Sequence, residues 1–478
     1  VGRTPKSGQV RAAFASPDHI ILDRNGLVLD EVRVDKRSHR LNWVSLAQVP
    51  ASLTAALVEA EDRRFYWHPG VDPLARFRPT LTMQLADLLD GSGGGRKSRQ
   101  MLAAVGIEMS WNKRQILEAY MNLVSYRGEF KGIAAASFGL FDKPPSALTR
   151  TEAAVLAAMI HSPPAQVRGR ACRLLAMLGT PEECGLLSVD HLVRPSLRMA
   201  PHVAERLRWL PEMSGHGILR STLDRRIQWQ ALSALQQQRS LSAGAVVVIE
   251  NATGDVLAYV GNLGSRSRGA AFDAAVAEHQ AGSTLAPFVY AKALVERRLT
   301  ASTRLPNSPL PKSDLVSVRE ALTSNLSLPT LAALELVGND AFIQTMSALG
   351  FSGLRQPEEY GPSLALGSAN VRLVELTNAY RTLANGGVWT QAKFSPQQLS
   401  DVGSKRVLSA AATYIVTDLL SGHPALGLSP RLWAALKTGG SADSLASWAI
   451  GFSDRYTVGV WTGNNAMAAT SVWRVVMN

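Results

Sequence analysis

The spacing of apolar residues changes once along this chain, and the change divides it into two parts of different fold class. From Leu46 to about residue 210 apolar residues recur at helical spacing, whereas 244–250 and 256–260 are short apolar runs joined by a turn. A second pair of runs, 448–452 and 456–461, lies near the end of the chain, with helical patterns before it. Distant strand pairs can share one sheet covered by helices, so we predict a helical part followed by an α+β part.

The chain has 478 residues, which is too long for a single hydrophobic core, and at least two domains are expected. Alternating segments around Asn25-Gly26 predict a short hairpin near the N-terminus. The expected divisions are an N-terminal segment 1–45, a helical domain 46–210, a linker region 211–242 and a mixed domain 243–478.

A formal charge of +12 at pH 7 favours an anionic partner. No nucleic-acid motif accompanies the charge, so nucleic acid is not an expected partner. Basic residues are concentrated between 91 and 131, which favours a phosphate-bearing substrate near a membrane over the alternative of a generally basic surface. No apolar run approaches the roughly 18–20 residues of a membrane span.

Residues 61–72 read Glu-Asp-Arg-Arg-Phe-Tyr-Trp-His-Pro-Gly-Val-Asp and are the strongest candidate for a site. A carboxylate beside apolar rings can have its pKa raised by desolvation, as general acid or base catalysis requires. The adjacent Arg63 and Arg64 would lower that pKa and could hold a phosphate. The alternative is a helix end with solvated charges.

Segment 61–72 resembles the first signature of the peptidoglycan glycosyltransferases, which form the N-terminal domain of class A penicillin-binding proteins. The later signatures of that family follow in chain order, at 80–84, 96–100, 113–122 and 128–137. In the second half, Ser283-Thr284-Leu285 and Lys437-Thr438-Gly439 resemble the active-site serine and the Lys-Thr-Gly strand of penicillin-binding transpeptidases. The resemblance implies a lysozyme-like helical glycosyltransferase domain, then a transpeptidase domain with an antiparallel sheet flanked by helices.

The resemblance also implies a reaction, the polymerisation of a lipid-linked disaccharide-peptide (lipid II) into glycan strands with a polyprenyl pyrophosphate as leaving group. Glu61 is the expected catalytic base, kept proton-accepting by Phe65 and neighbouring apolar side chains. No cofactor is required, although a divalent cation (Mg²⁺ or Mn²⁺) could share the pyrophosphate charge. The expected pyrophosphate-binding residues are Arg96, Lys97 and Arg99. The other expected substrate-binding residues of this domain are Asp62, Arg63, His68, Thr80, Thr82, Gln84, Gln100, Glu118 and Asn122.

For Glu118 and Asn122, which lie four residues apart on one helix face, a purely structural role is the favoured alternative. Two departures from the family pattern also bear on function. Phe77-Arg78-Pro79 stands where the second signature usually opens with Gly-Gly-Ser, and Gln100 replaces a second Glu. A glutamine cannot bind a metal as a carboxylate does. These departures support a second interpretation, a non-catalytic peptidoglycan-binding or scaffolding protein.

The transpeptidase signatures are also incomplete. In that family a lysine three residues after the serine accepts its proton, and the matching residue here is Ala286. Ser283 is therefore expected to acylate poorly and β-lactams to label the chain weakly or not at all; a plain helix N-cap is the alternative role for Ser283. Asn325-Leu326-Ser327 aligns with the Ser-x-Asn element with its polar types exchanged, unless the frame shifts to Ser324-Asn325. Lys437, Thr438 and Gly439 are intact and could bind a carboxylate.

The resemblance implies a membrane anchor upstream of Val1 and an accessory module after Asn478. We therefore expect an ectodomain at the periplasmic face of a bacterial inner membrane, with phosphoglycolipid inhibitors among its ligands. The two cysteines, Cys172 and Cys184, lie on a helical pattern and just after a Gly179-Thr180-Pro181 break. A disulfide and two buried thiols are both compatible with that placement.

Overall fold

A computed structural model of the chain divides into two compact units. The first comprises residues 1–198 and 208–219, and the second comprises 199–207 and 220–478. The chain therefore passes between the units at three points. The structure describes residues 4–14, 18–32, 39–74, 78–90, 97–127, 130–187, 198–208, 217–264, 272–309, 314–398, 403–421, 432–440, 446–465 and 467–478.

The first unit is mainly helical. Its helices are α1 (Ser7–Ala13), α2 (Ala51–Glu61), α3 (Leu81–Asp90), α4 (Lys97–Ser110), α5 (Lys113–Leu123), α6 (Ile133–Phe141), α7 (Arg150–Met159) and α8 (Pro164–Met177). Its short strands are β1 (His19–Leu22), β2 (Val28–Val32), β3 (His39–Arg40), β4 (Ser125–Arg127), β5 (Phe130–Lys131) and β6 (Ile218–Arg220). β1 and β2 pair antiparallel around Asn25-Gly26, which confirms the predicted hairpin.

Helix α7 lies at the centre of this unit. Thr149 caps it by accepting a hydrogen bond from the backbone N–H of Glu152, whose side chain bonds back to the cap residue. Residues 153–159 are all buried, and four of them are alanines, so α2 and α8 pack closely on either side. The helical spacing of apolar residues over 149–160 predicts a helix at this place, which the structure confirms.

The helical pattern over 44–61 predicts too long a helix. α2 begins only at Ala51, directly after Pro50, and residues 46–48 form a short 3₁₀ turn. The segment before it is held by α5 instead, because Asn122 bonds both backbone groups of Val44 at 2.8 Å. Glu118 accepts from the Trp43 indole and from the backbone N–H of Leu46, each at 2.8 Å. Tertiary hydrogen bonds thus override the local periodicity.

Cys172 and Cys184 form a disulfide with a Cα–Cα distance of 5.0 Å. It joins the second half of α8 to the 3₁₀ turn Pro181–Leu186. Of the two alternatives for this pair, the structure contains the bridge.

The second unit is built on one antiparallel sheet with the order β15-β16-β17-β7-β8. Its strands are β7 (Gly244–Glu250), β8 (Val256–Val260), β9 (His279–Gln280), β10 (Arg304–Pro306), β11 (Leu315–Ser317), β12 (Asn370–Val371), β13 (Val388–Trp389), β14 (Lys405–Arg406), β15 (Ala435–Gly440), β16 (Ala446–Phe452) and β17 (Tyr456–Gly463). Its helices are α9 (Pro201–Arg208), α10 (Arg225–Gln237), α11 (Ala286–Val295), α12 (Val318–Thr323), α13 (Ser327–Val337), α14 (Asn339–Ala348), α15 (Pro357–Tyr360), α16 (Leu373–Ala384), α17 (Ala410–Ser421) and α18 (Ala468–Met477).

Both faces of the sheet are covered. On one face alternate strand residues such as Val246 and Val458 form a core with α10 and α18. On the other face α16 packs so closely that a Cβ on Gly459 would lie 2.0 Å from the Thr377 hydroxyl. Both predicted strand pairs, β7 with β8 and β16 with β17, are confirmed.

The segment 201–221, whose sequence is typical of a connection, and the predicted linker at 211–242 both contain more helix and strand than their sequence indicates. α9 and β6 lie in the first segment. α10 lies in the second, capped by Asp224 and packed on β8 and α18. Within the described residues, no helix has the length and apolar character needed to cross a membrane.

Candidate functional site

A cleft in the first unit surrounds the C-terminal end of α2, where Glu61 is the last helical residue. Its volume is about 670 Å³. Four arginine side chains converge on it from three different parts of the chain. The lining residues are Glu59, Ala60, Glu61, Arg63, Arg78, Pro79, Gln84, His161, Arg170, Arg173, Leu174 and Met177.

The Glu61 carboxylate is held on both oxygens. Arg170, on α8, donates to Oε1 at 2.9 Å. The Gln84 amide, on α3, donates to Oε2 at 3.2 Å, and His161 Nε2 lies 3.3 Å from the same oxygen. The side chain of Glu61 is only 4% exposed, whereas that of His161 is 55% exposed. The carboxylate therefore has a fixed orientation at the bottom of an open cleft.

Burial by itself raises the pKa of Glu61, but its partners outweigh that effect. The His161 ring, the Gln84 amide and the Arg170 guanidinium all stabilise the carboxylate, so the pKa of Glu61 lies below its ordinary value. Burial thus acts in the direction expected beside Phe65, but the expected net rise of the pKa is wrong. Glu61 is consequently ionised at neutral pH and free to accept a proton.

Asp62, the next residue, is turned inward and stabilises the local fold. Its carboxylate accepts from His68 Nε2 at 3.0 Å and from the backbone N–H of Leu81, the first residue of α3, at 3.0 Å. Thr80 bonds the carbonyl of Gly70 at 2.5 Å and accepts from the N–H of Met83. These contacts fix the start of α3, which carries Gln84.

Thr82 and Arg63 have different surroundings. Thr82 donates to Glu108 at 2.7 Å, on the buried side of α3. Arg63 is exposed at the cleft, pairs with Glu59 at 2.6 Å and contacts the Met177 sulfur. Of the residues predicted to bind substrate, Arg63 and Gln84 thus lie beside Glu61 in the structure. The others described above make contacts that hold the fold together instead: Asp62, His68, Thr80, Thr82, Glu118 and Asn122.

The basic cluster at 96–99 is not part of the described lining of the cleft. Lys97 is the first residue of α4, and Arg99 is 73% exposed and lies 3.6 Å from Asp90. Gln100 donates its amide to Asp87 at 3.1 Å. Arg96 and Phe77 lie outside the described residues. The positive charge beside Glu61 comes from Arg63, Arg78, Arg170 and Arg173.

The described residues do not fit a divalent cation beside Glu61. Within them, one group of acidic and histidine side chains converges, formed by Asp62, His68 and Asp72. Asp62 is already bonded to His68 and to a backbone N–H. Asp72 accepts two hydrogen bonds from Arg64 at 2.8 Å, and a guanidinium in that place disfavours a cation. No step of the mechanism below uses a metal.

The second unit has its own cleft, of about 340 Å³, beside the sheet edge formed by β15. Ser283 lies in the 3₁₀ turn Gly282–Leu285 immediately before α11, and Ala286 begins that helix. Asn325, Ser327 and Lys437 line the same cleft. α11 has no side-chain cap, so the alternative role of Ser283 as an N-cap is wrong.

Lys437 is fully buried at the bottom of this cleft. Its ammonium donates to the carbonyl of Leu322 at 2.8 Å and to the side-chain oxygen of Asn325. The Asn325 amide lies 3.4 Å from the Thr438 hydroxyl, so Asn325 connects the two motif residues. Burial lowers the pKa of Lys437 to about 7.

Glycines allow the serine turn to approach the sheet edge. A Cβ on Gly282 would lie 2.2 Å from the carbonyl oxygen of Gly440, and one on Gly439 would lie 2.8 Å from Thr284. Gly282 also has a φ of +57°, which favours glycine. The turn that carries Ser283 therefore lies against the strand that carries Lys437, Thr438 and Gly439, and Ala286 presents a methyl group at the start of α11.

Known proteins resemble this chain over most of its length. A family model described as Transglycosylase matches residues 25–175. The crystal structure of penicillin-binding protein 1A from Haemophilus influenzae superposes over 97% of this chain and 92% of its own, with a TM-score of 0.54 and 17% identity, which supports the fold. The chain is similar to the class A penicillin-binding proteins, as its motifs predict.

Within that class, the chain is 28% identical to penicillin-binding protein 1C of Escherichia coli K12 over 474 residues, which cover 88% of this chain and 61% of the relative. It is 27% identical to penicillin-binding protein 1A of Mycobacterium tuberculosis, over 96% of this chain and 67% of the relative. The chain thus spans about three fifths of the length of the E. coli protein.

Three residues that contact or support Glu61 were not identified from the sequence. Arg170 is 109 residues from Glu61 along the chain, and His161 follows α7 with no recognisable signature. Tyr120 lies within the fourth signature, and its hydroxyl donates to Gln84 at 2.8 Å. Only the Tyr120 position carried a signal in the sequence.

Proposed function

We propose that the first unit is a peptidoglycan glycosyltransferase that polymerises a lipid-linked disaccharide-peptide. The observation that carries the proposal is an ionised, buried carboxylate at the bottom of a cleft lined by four arginines. Glu61 takes the proton from the sugar hydroxyl that attacks the anomeric carbon of the donor. The bond from that carbon to the pyrophosphate breaks, and the departing polyprenyl pyrophosphate carries the electron pair.

The arginines of the cleft are suited to the leaving group. A guanidinium offers paired N–H donors that match phosphate oxygens. Arg78 replaces a residue type that is usually small at this position in the family, and so adds charge at the cleft. We propose that Arg63, Arg78 and Arg173 contact the pyrophosphate, while Arg170 is engaged with Glu61. Lys97 and Arg99 do not line the cleft as the structure describes it, so they would contact the same substrate only outside that cleft.

The site of action follows from the substrate. A lipid-linked donor requires the first unit to work at a membrane surface, and we propose the periplasmic face of the inner membrane. A phosphoglycolipid that imitates the donor should compete for the arginine-lined cleft. We assign no metal to the reaction.

The test is glycan polymerisation from lipid-linked disaccharide by wild type and Glu61→Gln. Loss of the base should lower turnover by roughly 10²–10⁴-fold, the usual contribution of a general base. Glu182→Gln is the matched control, because Glu182 is exposed on the same unit, outside the cleft. Both variants should unfold at the same temperature as wild type to within a few degrees. Retention of polymerisation by Glu61→Gln within about threefold would remove Glu61 from this role.

For the second unit we propose a transpeptidase-like cleft that acylates poorly. Ser283 and Lys437 line one cleft, but Ala286 supplies no proton acceptor one helical turn after the serine. Fluorescent penicillin should label the chain weakly, and Ala286→Lys should increase labelling at Ser283 by at least about tenfold. Ser283→Ala in the Ala286→Lys background is the control and should abolish the gain. Strong labelling of wild type would instead show that another group accepts the serine proton.

The alternative function, a non-catalytic peptidoglycan-binding or scaffolding protein, is favoured by Ala286 and by the altered second signature. The polymerisation assay separates the two, because a scaffold produces no glycan at any pH. The buried Glu61 carboxylate and its three partners, Gln84, Arg170 and His161, support the interpretation as an enzyme.

A further inference from the structure

His161 occupies a special position between the buried base and solvent. Its Nε2 atom lies 2.9 Å from the side-chain oxygen of Gln84 and 3.3 Å from Glu61 Oε2. An amide oxygen only accepts hydrogen bonds, so Nε2 carries a hydrogen in this arrangement and points it at both oxygens. The same amide oxygen also accepts from Tyr120. The imidazole is thus one of three donors that fix Glu61 and its neighbour Gln84.

The exposure of the ring differs sharply from that of the carboxylate. The His161 side chain is 55% exposed and the Glu61 side chain 4%. His161 lines the Glu61 cleft and also an adjoining cleft of about 380 Å³ that contains Arg127. Protons from solvent therefore reach the ring directly, although they reach Glu61 only through the cleft.

We propose that His161 is a positioning residue for Glu61. The proposal rests on the glycosyltransferase function proposed above. The Nε2–H of the ring orients the carboxylate and also holds the side-chain oxygen of Gln84, which leaves the Gln84 N–H directed at Glu61. A carboxylate turned away from the sugar hydroxyl is a poorer base toward it.

Two substitutions separate the hydrogen-bond donor from the rest of the ring. His161→Gln keeps an N–H donor near Glu61, and His161→Ala removes it. We expect His161→Ala to lower kcat for polymerisation by about tenfold or more and to leave KM within about threefold of wild type, because orientation of the base acts on the chemical step. His161→Gln should recover most of the lost kcat.

The control is His202→Gln, which removes a histidine of the second unit and should keep the kcat of wild type. Equal loss of kcat by His161→Gln and His161→Ala would overturn the proposal, as would wild-type kcat in His161→Ala. Absence of polymerisation by wild type would overturn the glycosyltransferase function and the proposal with it. Polymerisation by wild type that depends on Glu61 but not on His161 would overturn this proposal alone.

Discussion

At the scale of single residues, the sign of the Glu61 pKa shift shows what a sequence can and cannot indicate. The segment 61–72 indicates a carboxylate near aromatic rings, and the signature identifies which of two adjacent acids faces the cleft. The distant groups that lower the pKa of Glu61 are His161 and Arg170, each about a hundred residues away along the chain. Only the fold brings them to Glu61, so the direction of the shift could not be predicted locally.

Lys437 gives a residue-scale prediction that does not depend on the proposed enzyme function. Burial lowers its pKa from 10.5 to about 7, so between these values the unfolded chain binds more protons than the folded chain. The contribution of Lys437 to stability therefore improves as the pH rises through this window, by at most about 1.4 kcal/mol per pH unit.

Lys437→Met removes this dependence. Measured by calorimetry of the second unit's transition, the stability of the variant relative to wild type should be highest near pH 6.5 and decline steadily toward pH 10. Lys292→Met, at a partly exposed lysine that pairs with Glu296, is the control and should show no such trend. A difference that is constant over pH would mean that Lys437 is not desolvated in the folded state.

At the scale of elements, helices and strands with strong local signals were predicted well. The strands of the β7–β8 and β16–β17 hairpins have turns with clear sequence signals, and α7 has a capping box. α2 was placed too early because Pro50 and the hydrogen bonds of Glu118 and Asn122 decide where it begins. Tertiary contacts of that kind leave no periodic pattern in the sequence.

The disulfide gives an element-scale prediction. Cys172 and Cys184 close a loop with a sequence separation of 12 residues, and they hold a 3₁₀ turn against the helix that carries Arg170 and Arg173. Replacing both cysteines by serine should lower the free energy of unfolding of the first unit by about 3 kcal/mol, the chain-entropy value for a loop of this length.

Urea unfolding of wild type with and without a reducing agent measures the same quantity. The reducing agent should destabilise wild type and leave the double variant unchanged. If wild type unfolds at the same urea concentration under both conditions, the bridge does not stabilise this unit in solution.

At the scale of the whole molecule, the class of fold was predictable and the division of the chain was not. The shift in periodicity near residue 240 indicates a helical part followed by a sheet part. The segment 199–207 nevertheless belongs to the second unit, although 208–219 returns to the first. No local signal marks these passages, because they depend on which core buries each short element.

Helix α9 carries the whole-molecule prediction. Val203, Ala204 and Leu207 are fully buried, and Gln228 on α10 donates to the carbonyl of Met199 at 2.6 Å. Arg206 also stacks 4.3 Å from the Phe394 ring. A fragment that begins at residue 220 lacks this helix and exposes the surface that it covers. Burial of a Val and a Leu side chain contributes about 3–6 kcal/mol, a large share of the stability of one domain.

We therefore expect the fragment 199–478 to unfold cooperatively with a melting temperature close to that of the second unit in the full chain. The fragment 220–478 should melt at least about 6 °C lower, since a loss of 3 kcal/mol or more shifts the melting temperature of a domain of this size by about 2–4 °C per kcal/mol. It should also bind a hydrophobic dye more strongly. A third fragment, 199–478 with Val203→Asp, keeps the full length but places a carboxylate on the buried face of α9. It therefore separates the effect of α9 packing from the effect of chain length. Equal melting temperatures for all three fragments would show that α9 is not part of the core of the second unit.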